Sequence, residues 1–416
     1  MWKSLLKQIW AQRYANSWVG IELVIVIVLL WYAIDLVYNY EGAALQPKGY
    51  DTESVFDLTV NLKPGQEKDS VLMSHSSDYI WQIYNLVKHY PGVCEACYYY
   101  GSIPYTDQIT YEGYASHTDS THVTGCYIRY VNPTYFKVFH LKSLSGTFHS
   151  DQWKESEYPM PVLMSVSLCD SVFHSSSPVG ETCFNPYFIG SNNPVTNYKV
   201  MAVLPKHKLG DYERYEPFIY LPASEQMGWW CHIAFRVNTN QLSDFRERFL
   251  EDMQSKLAIG PFYLENVQSY SNMKRVYDLE TGTVNYLNTT YAVIAFFMFN
   301  VFLSILGTFW YRMRRRRGEI ALRMALGSTR KNVFGYYVLE SIFLLLIAAI
   351  PAVIICINID IADLTVHTLM EPTTGRFIFC FLSVLILLSI IILCGVWFPA
   401  RNAMNLQPVE ALHEEG

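Results

Sequence analysis

Residues 377–398 read FIFCFLSVLILLSIIILCGVWF, a stretch without a single charge. As a helix rising ~1.5 Å per residue it reaches roughly 33 Å, enough to cross a hydrocarbon core of ~30 Å. The same composition recurs upstream. Residues 291–311 (YAVIAFFMFNVFLSILGTFWY) are equally long and uncharged, with Asn300 as their one strongly polar side chain, expected to hydrogen-bond to a neighbouring helix. Between Val333 and Ile357 the only charge is Glu340. It lies about two turns from the cytoplasmic end, where a carboxylate costs less than the ~2.5–3.5 kcal/mol assigned to a charge at mid-bilayer. Pro351 is expected to kink that helix.

The first span, from Trp18 to Val37, holds Glu22 and Asp35 near its ends with LVIVIVLLWYAI between them. Small residues follow at Gly42, Ala43 and Ala44, as at a signal-peptide cleavage site. The apolar core of a signal peptide runs only ~7–15 residues, so the segment reads as a retained helix.

Lys and Arg cluster at Lys3, Lys7 and Arg13, at Arg312, Arg314 to Arg317, Arg323, Arg330 and Lys331, and at Arg401, while 358–375 holds none. Positive residues stay on the cytoplasmic side. Both termini and the connection between the second and third spans are therefore inside, and the long segment between the first two spans is outside. Trp18, Trp310, Tyr311 and Trp397 fall at the inner interface, where aromatic anchors belong. Trp2, Leu5, Leu6, Ile9 and Trp10 repeat at helical spacing, with Lys3, Lys7 and Arg13 elsewhere. That pattern suits an amphipathic helix lying on membrane lipid or packed on another subunit.

The expected fold class is a multi-pass membrane protein, with four transmembrane α-helices and a large two-lobed extracytoplasmic α+β domain. The expected order is an amphipathic helix over 1–17, spans over 18–38, 287–311, 333–357 and 376–398, an outer domain over 39–286, a cytoplasmic coupling element over 312–332, a short outer loop over 358–375 and a tail over 399–416. With 51% hydrophobic and 16% charged residues the chain is a mixture of membrane and aqueous parts, and its net charge of -6 is no average worth reading. Nucleic-acid binding has no support.

The outer block alternates short β-like runs, such as Ser54-Val-Phe-Asp-Leu-Thr-Val60 and Tyr198-Lys-Val-Met-Ala-Val-Leu204, with helical pieces at 76–89 and 241–257. Its six cysteines, at 94, 97, 126, 169, 183 and 231, permit disulfides outside the cytoplasm, but sequence cannot choose among the pairings. Cys94-x-x-Cys97 lacks the βαβ surroundings of a redox motif. The eleven histidines form no zinc spacing, and Ser165 and Ser167 lack the glycines of a nucleophile elbow, so they read as buried strand-end serines. Leu144-Ser145-Gly146 reads as a turn. No catalytic, cofactor or metal site is expected in this chain.

The stretch Arg314–Ser341, RRRRGEIALRMALGSTRKNVFGYYVLES, is the most informative. Glu319 to Leu326 is a strong helix former with a Glu319/Arg323 i,i+4 pair and apolar Ile320, Leu322, Met324, Ala325 and Leu326. Gly327 can end that helix and Ser328 can cap the next. By physics alone, this is either a positive-inside anchor or a coupling helix at the membrane surface.

The run Arg317-Gly-Glu-Ile-Ala-Leu-Arg-Met-Ala-Leu-Gly-Ser-Thr-Arg330, with Val338-Leu339-Glu340, resembles the hallmark of MacB/FtsX-type ABC permeases. So do Pro399-Ala400-Arg401 and Leu406-Gln-Pro-Val-Glu-Ala-Leu412. The outer block resembles the same family in Tyr135-Phe-Lys-Val-Phe139, Pro161-Val-Leu-Met-Ser165, Pro178-Val-Gly-Glu-Thr182 and Tyr198-Lys-Val-Met-Ala-Val203, and least over 50–130. The resemblance implies a bacterial inner-membrane permease, with a small lobe inserted near 130–220 of the periplasmic domain.

The resemblance further implies a mechanotransmitter, with Glu319, Ile320, Arg323, Met324, Leu326 and Gly327 coupling it to an ATPase. The chain has no G-x-x-x-x-G-K-[ST], whereas MacB carries its ATPase fused at the N-terminus, so ATP is expected on a separate ATPase subunit. Other implied partners are a second permease chain, identical or paralogous, a periplasmic adaptor and an outer-membrane channel. Export of peptides, toxic amphiphiles or lipoproteins is the leading expectation; the alternative is an FtsX-like regulator that activates an outer enzyme or acts as a sensor.

Overall fold

The computed structural model describes residues 13–65, 74–188, 197–228, 230–315 and 328–404. Most of the amphipathic segment read over 1–17 lies outside them, as do 316–327 and the tail beyond 404. The chain divides into two compact units, 1–43 with 284–416, and 44–283.

Among the described residues of the first unit, four helices are long and apolar enough to cross a membrane: Ser17–Leu45, Thr283–Gly307, Val338–Ile361 and Thr374–Gly395. They form because Leu, Ile, Val and Phe dominate and because a helix satisfies its own backbone groups where lipid offers no partner. Ile27, Leu30, Trp31, Leu345, Ala352, Cys380, Val384 and Leu388 are buried together between them. Ala348, Ala349 and Ala352 on the third helix let backbones approach closely. The second helix keeps Phe296, Phe299 and Leu303 exposed, and Asn300 Nδ2 donates to the Phe296 carbonyl of the same helix at 2.8 Å rather than to a neighbouring helix.

The third membrane helix starts one residue later than Ser328 would place it. Thr329 is the cap: its backbone is extended (φ -73°, ψ 151°) and its Oγ1 accepts from Asn332 N–H at 3.3 Å.

Among its described residues, the second unit is built on one eleven-stranded sheet. Its strands are β1 Val55–Leu62, β2 Val93–Gly101, β3 Tyr111–Ser116, β4 Thr124–Val131, β5 Ser145–Gly146, β6 Met160–Ser165, β7 Thr182–Phe184, β8 Asn197–Leu204, β9 Phe218–Pro222, β10 His232–Val237 and β11 Phe262–Ser269. Their order is β11-β1-β10-β2-β4-β3-β7-β8-β6-β9, and β9 pairs back onto β4. Strands β4, β3, β7, β8, β6 and β9 therefore close a ring, with Cys126, Ile128, Val162, Met164, Val200 and Ile219 packed together in one buried cluster. The ring draws on residues from 111 onward, upstream of 130–220.

The open half, β11-β1-β10-β2, shows the two-residue period of a pleated strand. Phe56, Leu58 and Val60, with Ile233, Phe235 and Val237, join helices Ser76–Lys88 and Phe245–Met253 in one core. Val55, Cys97, Tyr99 and Ala234 enter the other, with Tyr135, Phe139, Tyr220 and Tyr270. The same alternation separates Cys94, exposed, from Cys97, buried, since residues three apart on a strand face opposite sides. All six domain cysteines are unpaired. Ser145–Gly146 is a short strand against Val203 and Ala202 of β8 rather than a turn. Ser165 ends β6 buried, its Oγ accepting from Leu168 N–H and Phe218 N–H.

Candidate functional site

The residues read as the coupling element, Glu319, Ile320, Arg323, Met324, Leu326 and Gly327, lie outside the described residues. Their brackets are defined. The second membrane helix is described to Arg315, and Thr329 caps the third, so these residues flank the connection in sequence. On the same end of the helices, Ser304 Oγ donates to Glu22 Oε2 at 2.7 Å, joining the second helix to the first. Glu340 on the third is buried.

At the opposite end sits a polar cluster that binds the first helix to the fourth. Arg376 Nε donates to Asp35 Oδ1 at 2.7 Å, and its Nη2 to Asp35 Oδ2 at 2.5 Å and to the Val366 carbonyl at 3.1 Å. Its Nη1 donates to the Met370 carbonyl at 3.2 Å, while Asn39 Oδ1 accepts from Met370 N–H at 3.0 Å. Asp35, Asn39 and Arg376 are all buried. A fork-on-fork arginine–carboxylate pair supplies both energy and fixed geometry, and the loop carbonyls satisfy guanidinium donors left over.

The outer unit carries a second buried polar set. Asp57 accepts from Tyr99 OH at 3.0 Å and contacts His232 Nδ1 at 2.7 Å, and Tyr99 OH lies 2.5 Å from Tyr270 OH. Burial, then Asp57, pushes the Tyr99 hydroxyl well above its usual range, so it remains a donor. Every member is shut off from solvent, which suits a core strut joining β1, β2, β10 and the helix Tyr270–Glu280. Arg129 is likewise buried, donating to Ser102 O at 2.6 Å and Tyr135 OH at 2.8 Å with its guanidinium 5.3 Å from the Phe218 ring.

Arg376 is the residue that sequence reading passed over, because it stands between a loop without basic residues and an uncharged span. A signal existed: Asp35 and Arg376 are opposite charges toward the outer ends of their two apolar helices. Charges in such positions demand partners.

The family model for the FtsX-like permease C-terminal region matches residues 291–408, which contain most of the second membrane helix, the third and fourth, and the connection. Over these residues the chain is similar to FtsX-like permeases. Among relatives of this family, the macrolide export ATP-binding/permease protein MacB of Campylobacter jejuni is 31% identical over 228 residues, covering 52% of this chain and 34% of that protein. The MacB protein of a Shewanella strain is 24% identical over 334 residues, covering 75% and 47%. The chain thus spans less than half the length of these curated relatives. The periplasmic region of MacB from Actinobacillus actinomycetemcomitans matches 56% of the permease and 97% of that structure, with 14% identity and a TM-score of 0.36. The extracellular domain of the transporter YknZ from Gram-positive bacteria matches 50% and 100%, with 12% identity and a TM-score of 0.33.

Proposed function

We propose that this permease is the membrane subunit of an inner-membrane ABC transporter in which a separate subunit hydrolyses ATP. The FtsX-like match over 291–408 supports this reading, because the matched stretch includes the Arg317–Leu326 run. Closure of an ATPase dimer presses on the apolar residues Ile320, Met324 and Leu326, Glu319 and Arg323 flank the contact, and Gly327 turns the chain into the third helix. A second permease chain completes the assembly, and the outer domain of residues 44–283 receives the motion. The substrate class is an amphiphile, peptide or lipoprotein already outside the inner membrane, in line with relatives named for macrolide export.

The test is to purify the full chain alone and together with the separately encoded ATPase expected to co-purify with it, and to measure nucleotide binding, ATP turnover and drug resistance. The expected result is ATP binding only in the complex, with resistance requiring turnover. Micromolar ATP binding by the permease alone overturns the reading. Turnover without any export identifies a regulator instead.

A further inference from the structure

The outer unit is joined to its neighbours in sequence by two connectors. Pro47–Tyr50 follows the first membrane helix, and the helix Tyr270–Glu280 precedes the second. Both are fastened to one loop, residues 205–216, which links β8 to β9.

The entering connector is fastened to this loop by one backbone hydrogen bond and two tyrosine-hydroxyl hydrogen bonds. Lys208 N–H donates to Lys48 O at 3.3 Å, Tyr50 OH to Leu209 O at 3.2 Å and Tyr215 OH to Pro47 O at 3.0 Å. The His207 ring stacks on Tyr50 with centroids 6.1 Å apart. Gly49 has φ +90°, and a Cβ there would run into Lys206 O, so only glycine allows this approach. The leaving helix meets the same loop through side chains: Tyr277 OH donates to Glu213 Oε1 at 2.5 Å, and Lys274 pairs with Asp211. Asp211 also pairs with Lys48 at 3.2 Å and accepts from Tyr105 OH at 2.7 Å. One buried carboxylate therefore holds a lysine from each connector. The two lysines, with Tyr105, keep its pKa below the ordinary value despite burial, so it stays charged.

The far ends of the loop are not free to yield. Val200 and Val203 of β8 and Ile219 and Leu221 of β9 are buried in the cluster packed within the β-ring, and close-packed interiors transmit strain rather than absorb it. We propose that loop 205–216 is the junction through which displacement of either connector reaches the β-ring, with Asp211 as the shared anchor. This deepens the coupling reading of the permease and rests on it.

The test is amide hydrogen exchange on the full chain in lipid nanodiscs. Without nucleotide, Asp211→Asn is expected to raise exchange about tenfold at 44–50 and at 270–280 together, the loss typical of a hydrogen-bonded charged group. A rise confined to one connector, or to 205–216, overturns the junction. With the ATPase and a non-hydrolysable ATP analogue, the wild type is expected to change exchange over 197–222 and Asp211→Asn to lose that change. A response of normal size in the variant also overturns the junction. No response in the wild type overturns the coupling reading, and the nucleotide-free comparison then decides the junction alone. If Asp211→Asn does not fold, Lys48→Met and Lys274→Met replace it: non-additive effects on β8 and β9 support a shared anchor and additive ones refute it.

Discussion

Asp35 and Arg376, 341 positions apart in the chain, meet in a two-point ion pair with both side chains buried among the membrane helices. Removing one member leaves a buried charge without its partner, a loss of ~3–5 kcal/mol. Arg376→Met is expected to lower the thermal unfolding midpoint of the full chain in nanodiscs accordingly, and Asp35→Leu combined with Arg376→Met to recover most of it. A single variant as stable as wild type would show that the pair holds nothing.

Asp278 is expected to give the outer domain a pH response. Burial first, then Asp211 and Glu213, raise its pKa from 3.8 to about 6, against the opposing pull of Lys274 and Lys48. The folded state therefore takes up the proton more readily than the unfolded one. Stability contributed by this group rises as pH falls through about 6 and levels off below about 3.8. Asp278→Asn should gain about 1–3 kcal/mol at pH 8 relative to wild type, with the difference vanishing near pH 4. Denaturant midpoints for the two proteins across this range provide the check; a difference independent of pH contradicts the assignment.

Thiol chemistry reports on sidedness. Cys94 is exposed on β2, whereas Cys97, Cys126, Cys169, Cys183 and Cys231 are buried. In intact cells stripped of their outer envelope, a membrane-impermeant maleimide should label Cys94 and leave Ser328→Cys untouched until the membrane is opened. The reverse pattern would invert the topology.

The coupling element can be probed where its apolar face is proposed to dock. Fully burying a leucine is worth roughly 1.5–3 kcal/mol, and Leu326→Asp loses this and also buries a carboxylate. ATPase association should fail at normal membrane expression. Glu319→Ala should cost only ~0.3–0.5 kcal/mol, as for an exposed i,i+4 pair. Wild-type association by Leu326→Asp would reduce the segment to a membrane anchor.

The membrane helices were legible because crossing a bilayer is a local demand: each span needs its own uninterrupted apolar length, and Tyr291–Tyr311 and Phe377–Phe398 display it without reference to anything else. The α+β character of the outer block followed from the two-residue period of runs such as 54–60, which also reappears as the facing alternation of Phe56, Leu58 and Val60. The likeness to FtsX-like permeases was carried by the motif Arg317–Arg330, which lies within the matched residues 291–408.

Pairing between distant segments was not legible. The ring closes where Tyr127 to Val131 of β4 lie beside Phe218 to Pro222 of β9, a register chosen by the packing of side chains from six strands and by no single stretch. Cys94 and Cys97 needed only the strand to be known for their separation to follow. Asp211 carried no mark at all: in sequence it is one acid among several in a polar loop. Its position between Lys48 and Lys274 exists only because the sheet brings the entering chain, the leaving helix and the β8–β9 loop to one place. Sequence by itself determined which segments belong in lipid and which in water, since that is a transfer energy summed residue by residue. Tertiary structure alone decided which charges meet, since a Coulombic contact depends on a distance that no local composition sets.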